Sequence, residues 1–567
     1  MATEIGSIVI TPPHKPSYLH NPGIEPISAL TVGQLVDIAA DKWPDKEAIV
    51  SVFQGHRYTF AEVREKTDNL AAGLTQLGLK PGDRLGIWGP NSTQWYITRL
   101  AADRGGFIAV HIDPMYQPPQ LLHALTKVGV KLLVCPGDSF YERLRVIVPE
   151  LDNYPESGAE LSSAKVPSLK SLVVISDKQY RGAYRYDDVL ASALPATVKK
   201  IRELQTLIDP DEGSCILFSS GTTGQPKGAL MSHRGLVNGV FFPGQWFLPD
   251  TLDGALVLPV LFCHTSGLMA GIMGTVRFGA TLILPSATFD IKKTLEAIIK
   301  FGAAMTLGTP SLFVDMITIA RQEGLKVTTL KTVAYGGAPC PVQVALEMKE
   351  VLNIKRILPI FGMTETGLTF VGKPEDTLEQ MTSTSGCLCY HTEAKVVDVN
   401  GRMVPMGTQG ELWVRGYSVM NEYWGDEEMT RQLITKDGWV KTGDLFILQE
   451  DGYGKVVGRI NEVIIRIGDK IFPTELEEFF QEHPDVQETQ VFGVPDSRTG
   501  EEICAYFRLK DGTTLTQQDI VDYCKGKIPD YQIPRYIRFA NTFPRSPMGK
   551  VVKSYLLQTL LKEIEGK

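Results

Sequence analysis

The stretch Ser214–Leu236 most restricts what this chain can fold into. An apolar run, Cys215–Phe218, passes directly into Ser219-Ser220-Gly221-Thr222-Thr223-Gly224 and then Gln225-Pro226-Lys227-Gly228. Clustered hydroxyls on small glycine backbones can wrap phosphate oxygens with side-chain and main-chain donors. Lys227 can add a point charge suited to a polyphosphate. The spacing is not that of a Walker A loop, because Lys227 lies between Pro226 and Gly228 instead of in Gly-Lys-Ser/Thr. A P-loop motor or kinase is therefore disfavoured. A bare Ser/Gly run is as often a polar connection between strands, but the full string is much more specific.

The rest of the chain supplies a setting for such a loop. Residues 31 to about 200 alternate helical patterns with short apolar runs such as Arg84–Trp88, Phe107–His111 and Lys131–Cys135. That rhythm predicts βα units and parallel sheets. A looser Pro/Ser/Gly stretch at Asp152–Val166 predicts a surface loop, and a second α/β set covers about 200–370. From about 380 to 458 short alternating strands predict a small β-barrel or distorted sheet. Near Gly458-Arg459-Ile460-Asn461 the character changes, and the strands Lys455–Val457 and Val463–Arg466 flank a turn. Thr474 then precedes a helix with Glu477 three residues on, a capping-box pattern. The expected fold is α/β. A large N-terminal body (1–460) holds two α/β subdomains and the β-barrel-like part, and a smaller, mobile α+β domain (461–567) follows.

Composition fits this plan. At 567 residues the chain exceeds what one core usually holds, roughly 250–300 residues. Its net charge of −8 argues against a bulk electrostatic grip on nucleic acid or anionic lipid, though not against local phosphate sites. The 8 cysteines are scattered and form no CxxC pair, which predicts reduced structural thiols. Ala255–Val276 carries no charged residue and is long enough to span a bilayer. Pro259, His264 and Gly267, Gly271 and Gly274 interrupt it, so a buried strand, a turn and a packed helix are expected instead. The N-terminal residues show neither a signal-peptide nor a transit-peptide pattern, and Glu565-Gly566-Lys567 is not the peroxisomal tripeptide. The cytosol is the expected compartment. The leader, with its Pro-Pro and Lys-Pro pairs, is expected to lie extended over the surface.

Further motifs follow the phosphate loop in a fixed order: Pro259–Gly267 around His264, Tyr335-Gly336-Gly337-Ala338-Pro339, and Phe361-Gly362-Met363-Thr364-Glu365. Next come Gly410–Gly416, Thr442-Gly443-Asp444, Gly458-Arg459 and Pro544-Arg545-Ser546-Pro547-Met548-Gly549-Lys550. Together with the loop they resemble adenylate-forming enzymes: acyl-CoA synthetases, aryl-CoA ligases, peptide-synthetase adenylation domains and beetle luciferases. The resemblance covers roughly residues 30–560 and is strongest to the animal medium-chain acyl-CoA synthetase branch, which is mitochondrial.

What it implies is an ATP-dependent fatty acid–CoA ligase working through an acyl-adenylate, with ATP, Mg2+ and coenzyme A. Glu365 is the implied magnesium ligand, as suits a hard cation, and Thr364 an α-phosphate contact. Asp444 would take the ribose hydroxyls, with Arg459 on sugar or phosphates. Ser219, Ser220, Gly221, Thr222, Thr223, Gly224 and Lys227 would hold phosphate, Gly337, Ala338 and Pro339 belong to the implied adenine-binding turn, and Phe361 and Gly362 would also contact the nucleotide. Lys550 would act in adenylation. His264 would gate an acyl pocket walled by Phe262, Gly336 and Gly337. Asn461 stands at the hinge, where the family has Asp or Lys, and Ile467-Gly468 stands where many members have Gly-Gly beside the thiol path. Glu422 replaces a glycine before Tyr423-Trp424. Ser219 and Phe361 replace the more usual Thr and Tyr.

Singly, each residue has a plainer reading: Asp444 as a turn residue, Arg459 in a surface ion pair, Glu365 as a helix N-terminal charge, Lys550 solvated, His264 in the core. The departures at Asn461 and Ile467 leave open a luciferase-like oxidative second step, and other carboxylic acids remain open as substrates. A membrane fatty-acid transporter and an inactive acyl-binding scaffold are the alternatives from other classes. Only 17 residues follow Lys550, which counts against an appended carrier or reductase domain. Partners are expected to be small molecules, with no nucleic acid and no membrane span. Oligomeric state is not readable.

Overall fold

The computed structural model describes residues 15–219, 225–248, 254–338, 340–467, 469–496, 498–546 and 549–565. Two large sheets form the body. One has a parallel core of Arg84–Trp88, Ile108–Ile112, Leu132–Pro136, Ser171–Ile175, Ala183–Arg185 and Gly213–Ser219. Lys227–Ser232 and Glu422–Tyr423 extend it antiparallel at one edge. The other is built on Ala255–Val257, Thr281–Leu284, Met305–Gly308, Thr332–Tyr335 and Arg356–Met363, all parallel. Strands covered on both faces read as continuous apolar runs, which is why these segments stand out in the sequence.

The two sets of βα units are not divided where the sequence suggests. Glu47–Ser51 and His56–Thr59, from the first set, join the second sheet beside Thr281–Leu284. Gly213–Ser219 and Lys227–Ser232, from the second set, join the first. Local pattern marks a strand but not its neighbour. The segments therefore interleave across the body.

The β-rich region forms a five-stranded sheet ordered Tyr18–Asn21, Thr392–Val397, Gly410–Gly416, Val440–Leu448 and Gly454–Arg459. Its first strand comes from the N-terminal leader, which pairs with the sheet edge at Tyr18↔Lys395. The apolar stretch Ala255–Val276 resolves into the strand Ala255–Val257, a turn and a buried helix. That helix is π-wound over Gly267–Met273 before Gly274–Phe278. Gly267 has no room for a side chain: a Cβ there would lie 2.0 Å from the Leu261 carbonyl oxygen. Among the described residues no helix is long and apolar enough to cross a membrane.

The C-terminal residues have their own sheet (Ile464–Arg466, Asp469–Ile471, Val486–Asp496, Gly500–Leu509 and Tyr536–Phe539) and their own core around Phe480, Val491, Ile503, Phe507 and Ile520. One local expectation fails there. The helix starts at Pro473, not after Thr474, and Phe472 at its N-cap makes no side-chain cap bond. Proline takes the first turn because its missing N–H is an orphan there anyway. Glu477 instead accepts the Val491 N–H at 2.8 Å and pairs with Lys553 at 2.8 Å.

Ile467 follows Arg466, the register partner of Asp469, and has φ +54°. A β-branched residue in the left-handed region is strained, and its side chain points away from the core, 73% exposed. Ile467→Gly is expected to stabilise the C-terminal unit by about 0.5–1 kcal/mol, after glycine's larger unfolded-state freedom is subtracted. Urea unfolding measures this; an unchanged or lower midpoint contradicts the strain account.

Candidate active site

The expectations on Ser220, Gly221, Thr222, Thr223, Gly224, Pro339 and Gly468 lie outside the described residues. Ser219 and Lys227 are register partners in an antiparallel pair. Glu422–Tyr423 pairs with the outer side of Lys227–Ser232, placing Tyr423 opposite Ala229. The Tyr423 hydroxyl donates to Glu365 Oε1 at 2.6 Å. Lys227 Nζ lies 5.3 Å from the centre of the Tyr423 ring. Burial and the neighbouring carboxylate push the Tyr423 phenol well above its ordinary value, so it stays a donor. Tyr423 thus links the strand Lys227–Ser232, along which it pairs, to the Glu365 carboxylate. Sequence reasoning missed it, although the departure at Glu422 lay one residue away.

Glu365 sits in the turn between Arg356–Met363 and Gly367–Val371. The turn is tight. A Cβ on Gly362 would lie 2.0 Å from the Gly367 carbonyl oxygen, and Gly367 itself has φ +63°. Met420 N–H donates to the Glu365 carbonyl at 2.9 Å, and Ser418 Oγ to the Thr366 carbonyl at 2.7 Å. Glu365 is 4% exposed, whereas Thr364 is half-buried. The Phe361 ring packs 5.2 Å from Phe446 and 6.2 Å from Phe370.

Asp444 and Arg459 face each other on adjacent strands, with Arg459 Nε 3.0 Å from Asp444 Oδ1. Gly443, at φ +71°, turns the backbone so that the Asp444 N–H donates to Thr442 Oγ1 at 3.1 Å. Asp444 is only 3% exposed. Burial raises its pKa above the ordinary carboxylate value, against the pull of Arg459 and Lys550.

Lys550 arrives from the C-terminal unit into this cluster. A Cβ on Gly337, which has φ +85°, would lie 2.4 Å from Lys550 Cε and 3.2 Å from its Nζ. The lysine therefore lies across the Gly336–Ala338 turn. It remains solvent-accessible, yet the protein packed around it lowers its pKa. Arg459 adds to that lowering, and Asp444 and Glu462 oppose it.

His264 senses the same lysine. Burial first, then Lys550, lower its pKa, while Asp113, with Oδ2 4.0 Å from Nε2, raises it. Phe262 is fully buried, its ring 5.3 Å from Trp95 and 6.3 Å from Tyr96. Asn91 clamps that segment, accepting the Phe262 N–H and donating to the Val260 carbonyl, each at 2.8 Å. Gly336 is held against backbone, a Cβ there lying 2.8 Å from the Ile360 carbonyl oxygen.

The fold thus brings His264, Gly337, Asp444, Arg459 and Lys550 into one electrostatic cluster, and Ser219, Lys227, Glu365 and Tyr423 into another. Asn461, on an exposed turn at Ile460–Glu462, and Ile467 lie in neither. Family models describe both parts of this arrangement. "AMP-binding enzyme" matches residues 36–424, and "AMP-binding enzyme C-terminal domain" matches 475–550, ending on Lys550. The chain belongs to the AMP-binding enzyme family.

Relatives in the AMP-binding family include the mitochondrial medium-chain acyl-CoA ligase of Danio rerio. It is 39% identical over 97% of this chain and 91% of its own length. The Homo sapiens protein of that description is 38% identical over 99% and 92%. Among solved AMP-binding structures, ATP-bound MatB from Rhodopseudomonas palustris superposes with a TM-score of 0.79 at 25% identity, covering 94% of this chain and 99% of that one. The anthranilate CoA ligase AuaEII with anthranoyl-AMP gives 0.83 at 22% identity, covering 96% and 99%.

Proposed function

We propose that this chain is an ATP-dependent ligase that joins a medium-chain fatty acid to coenzyme A in two steps on one site. The observation that carries the reading is Lys550, delivered by the C-terminal unit onto Gly337 beside the Asp444–Arg459 pair. In the first step the acid's carboxylate oxygen attacks the α-phosphorus of ATP, the bond to the β,γ-phosphates breaks, and pyrophosphate leaves. Two anions must meet, so catalysis depends on positive charge at their junction. Lys550 supplies it there, Lys227 at the leaving phosphates, and Thr364 a hydroxyl at the α-phosphate. Asp444 holds the ribose, and Arg459 fixes Asp444. In the second step the thiol sulfur attacks the acyl carbonyl, the carbonyl–oxygen bond to AMP breaks, and the thiol proton is released. We place the boundary between the two units at Asn461, about which the smaller one turns between the steps.

The donor set suits magnesium only with the substrate's help. Among the described residues no group of three or more His, Cys, Asp or Glu gathers to hold a metal. Glu365 is thus a single carboxylate, as fits an ion that keeps water and phosphate oxygens as its other ligands. When bound, the ion would neutralise phosphate charge. Tyr423→Phe tests the shell around it. Loss of the donor leaves a buried carboxylate unsatisfied, expected to cost about 1–3 kcal/mol of stability and to raise the magnesium concentration for half-maximal rate. An unaltered melting temperature and unaltered magnesium dependence would remove Tyr423 from this role.

Pyrophosphate exchange across a panel of carboxylic acids, followed by thioester detection, tests the function. Exchange is expected to peak with medium-chain acids and to end in CoA-dependent thioester. No exchange with any acid overturns the reading, and oxygen consumption without thioester replaces its second step. Ile467→Gly is expected to speed that step if the side chain crowds the thiol path. We place the protein in the cytosol; recovery in purified mitochondria overturns that placement.

A further inference from the structure

We propose that Glu488 is a positioning residue that makes the placement of Lys550 depend on docking of the C-terminal unit against the helix Pro310–Glu323. The inference rests on the adenylating role given to Lys550 above. Glu488 lies on the strand Val486–Asp496, is 5% exposed, and gathers groups from three places. Its Oε1 accepts the Ser311 hydroxyl of the body at 3.0 Å. Its Oε2 accepts Arg545 Nη2 at 2.6 Å and lies 3.8 Å from Arg508 Nε. The other arm of Arg545 donates to the Gly549 carbonyl at 2.9 Å, the peptide immediately before Lys550. Ser546 N–H closes the same loop on the Lys550 carbonyl at 2.7 Å.

Arg508, the cross-strand partner of Glu488, reaches back to the body and donates to Asp315 at 2.7 Å. The helix supplies its contacts at Ser311, Asp315, Thr318 and Gln322, spacings of four, three and four that fall on one face. Gln487 donates to Thr318 at 3.5 Å, and Gln322 to Asp511 at 3.3 Å. One buried carboxylate therefore bonds both the docking helix and the arginine that shapes the lysine loop.

A buried charge is tolerated only when paired and hydrogen-bonded. Undocking removes Ser311 from Glu488 and Asp315 from Arg508 together. The brace on Arg545, and through it on the Gly549–Lys550 peptide, is complete only in the docked arrangement. Glu488 never reaches the substrates; it acts through Arg545.

The test compares Glu488→Gln with the unaltered protein in three readouts. Pyrophosphate exchange is expected to lose about tenfold in kcat with little change in KM for ATP, the signature of an interaction made only in the transition state. Thioester formation from a supplied acyl-adenylate is expected to stay within about twofold. Amide hydrogen exchange over residues 310–323 is expected to quicken. Equal losses in both half-reactions, or unchanged adenylation in a folded protein, would overturn the proposal. Should Glu488→Gln fail to fold, Ser311→Ala and Asp315→Asn approach the same brace from the body, and each is expected to slow adenylation selectively by about threefold. If the unaltered protein adenylates no acid, the function proposed above fails. The hydrogen-exchange arm then still decides this one, because undisturbed exchange in Glu488→Gln overturns it without any substrate.

Discussion

Lys550→Ala is expected to cut acyl-adenylate formation by about 10²–10³-fold, the range for removing one positioned donor to a developing oxyanion. Thioester formation from a supplied acyl-adenylate should remain within about twofold. The asymmetry follows from geometry. Lys550 belongs to the C-terminal unit, yet its side chain lies on the Gly337 turn of the body, and the charges of Arg459, Asp444 and Glu462 all act on its ammonium group. It can serve a step only while the two units are docked this way. Attack on the α-phosphate needs added positive charge; attack of a thiol on an acyl-adenylate does not need it at the same point. Measuring the two half-reactions separately decides the matter. A parallel fall in both would mean that one arrangement serves both steps.

Gly337→Ala should reproduce much of that loss by a different route. A methyl group at 337 would lie 2.4 Å from Lys550 Cε, and the backbone there is left-handed. The protein can accommodate the methyl by swinging the flexible lysine aside, at a backbone cost of about 1–2 kcal/mol. The reaction cannot, because misplacing a catalytic group by about 1 Å costs on the order of 10²-fold. The two effects separate in a double-mutant cycle. With Lys550→Ala already present, Gly337→Ala should still lower the unfolding free energy but add almost nothing to the rate loss. Additive rate losses would show that residue 337 acts on adenylation independently of the lysine, for instance by blocking the nucleotide.

The site was legible in part. The string Thr442-Gly443-Asp444 joins a candidate functional group to the glycine that bends the backbone beneath it, so geometry and chemistry occur side by side in the chain. Tyr423 was not legible. Its bond to Glu365 spans 58 positions, and nothing local distinguishes a tyrosine that caps a carboxylate from one in a core. Asp113, 4.0 Å from His264, and Glu488, whose bond to Ser311 spans 177 positions, escaped for the same reason. The Thr474–Glu477 pattern shows the reverse error. A sound local signal lost to Pro473, which claimed the helix start, and to the tertiary partners Val491 and Lys553, which took the glutamate.

By itself, the sequence determined that this chain folds as α/β units and which family it resembles. Both properties reside in short segments, where hydrophobic period and backbone chemistry act over a few residues. Only the tertiary structure decided which strands share a sheet, with His56–Thr59 and Lys227–Ser232 each joining the sheet built mainly from the other set. It also decided that Lys550 lies against Gly337 within reach of the charge of Asp444, and that buried Glu488 bonds the arginine that donates to the Gly549 carbonyl. Those outcomes depend on burial and charge pairing between residues far apart in the chain, and such terms come into force only once the chain has closed on itself.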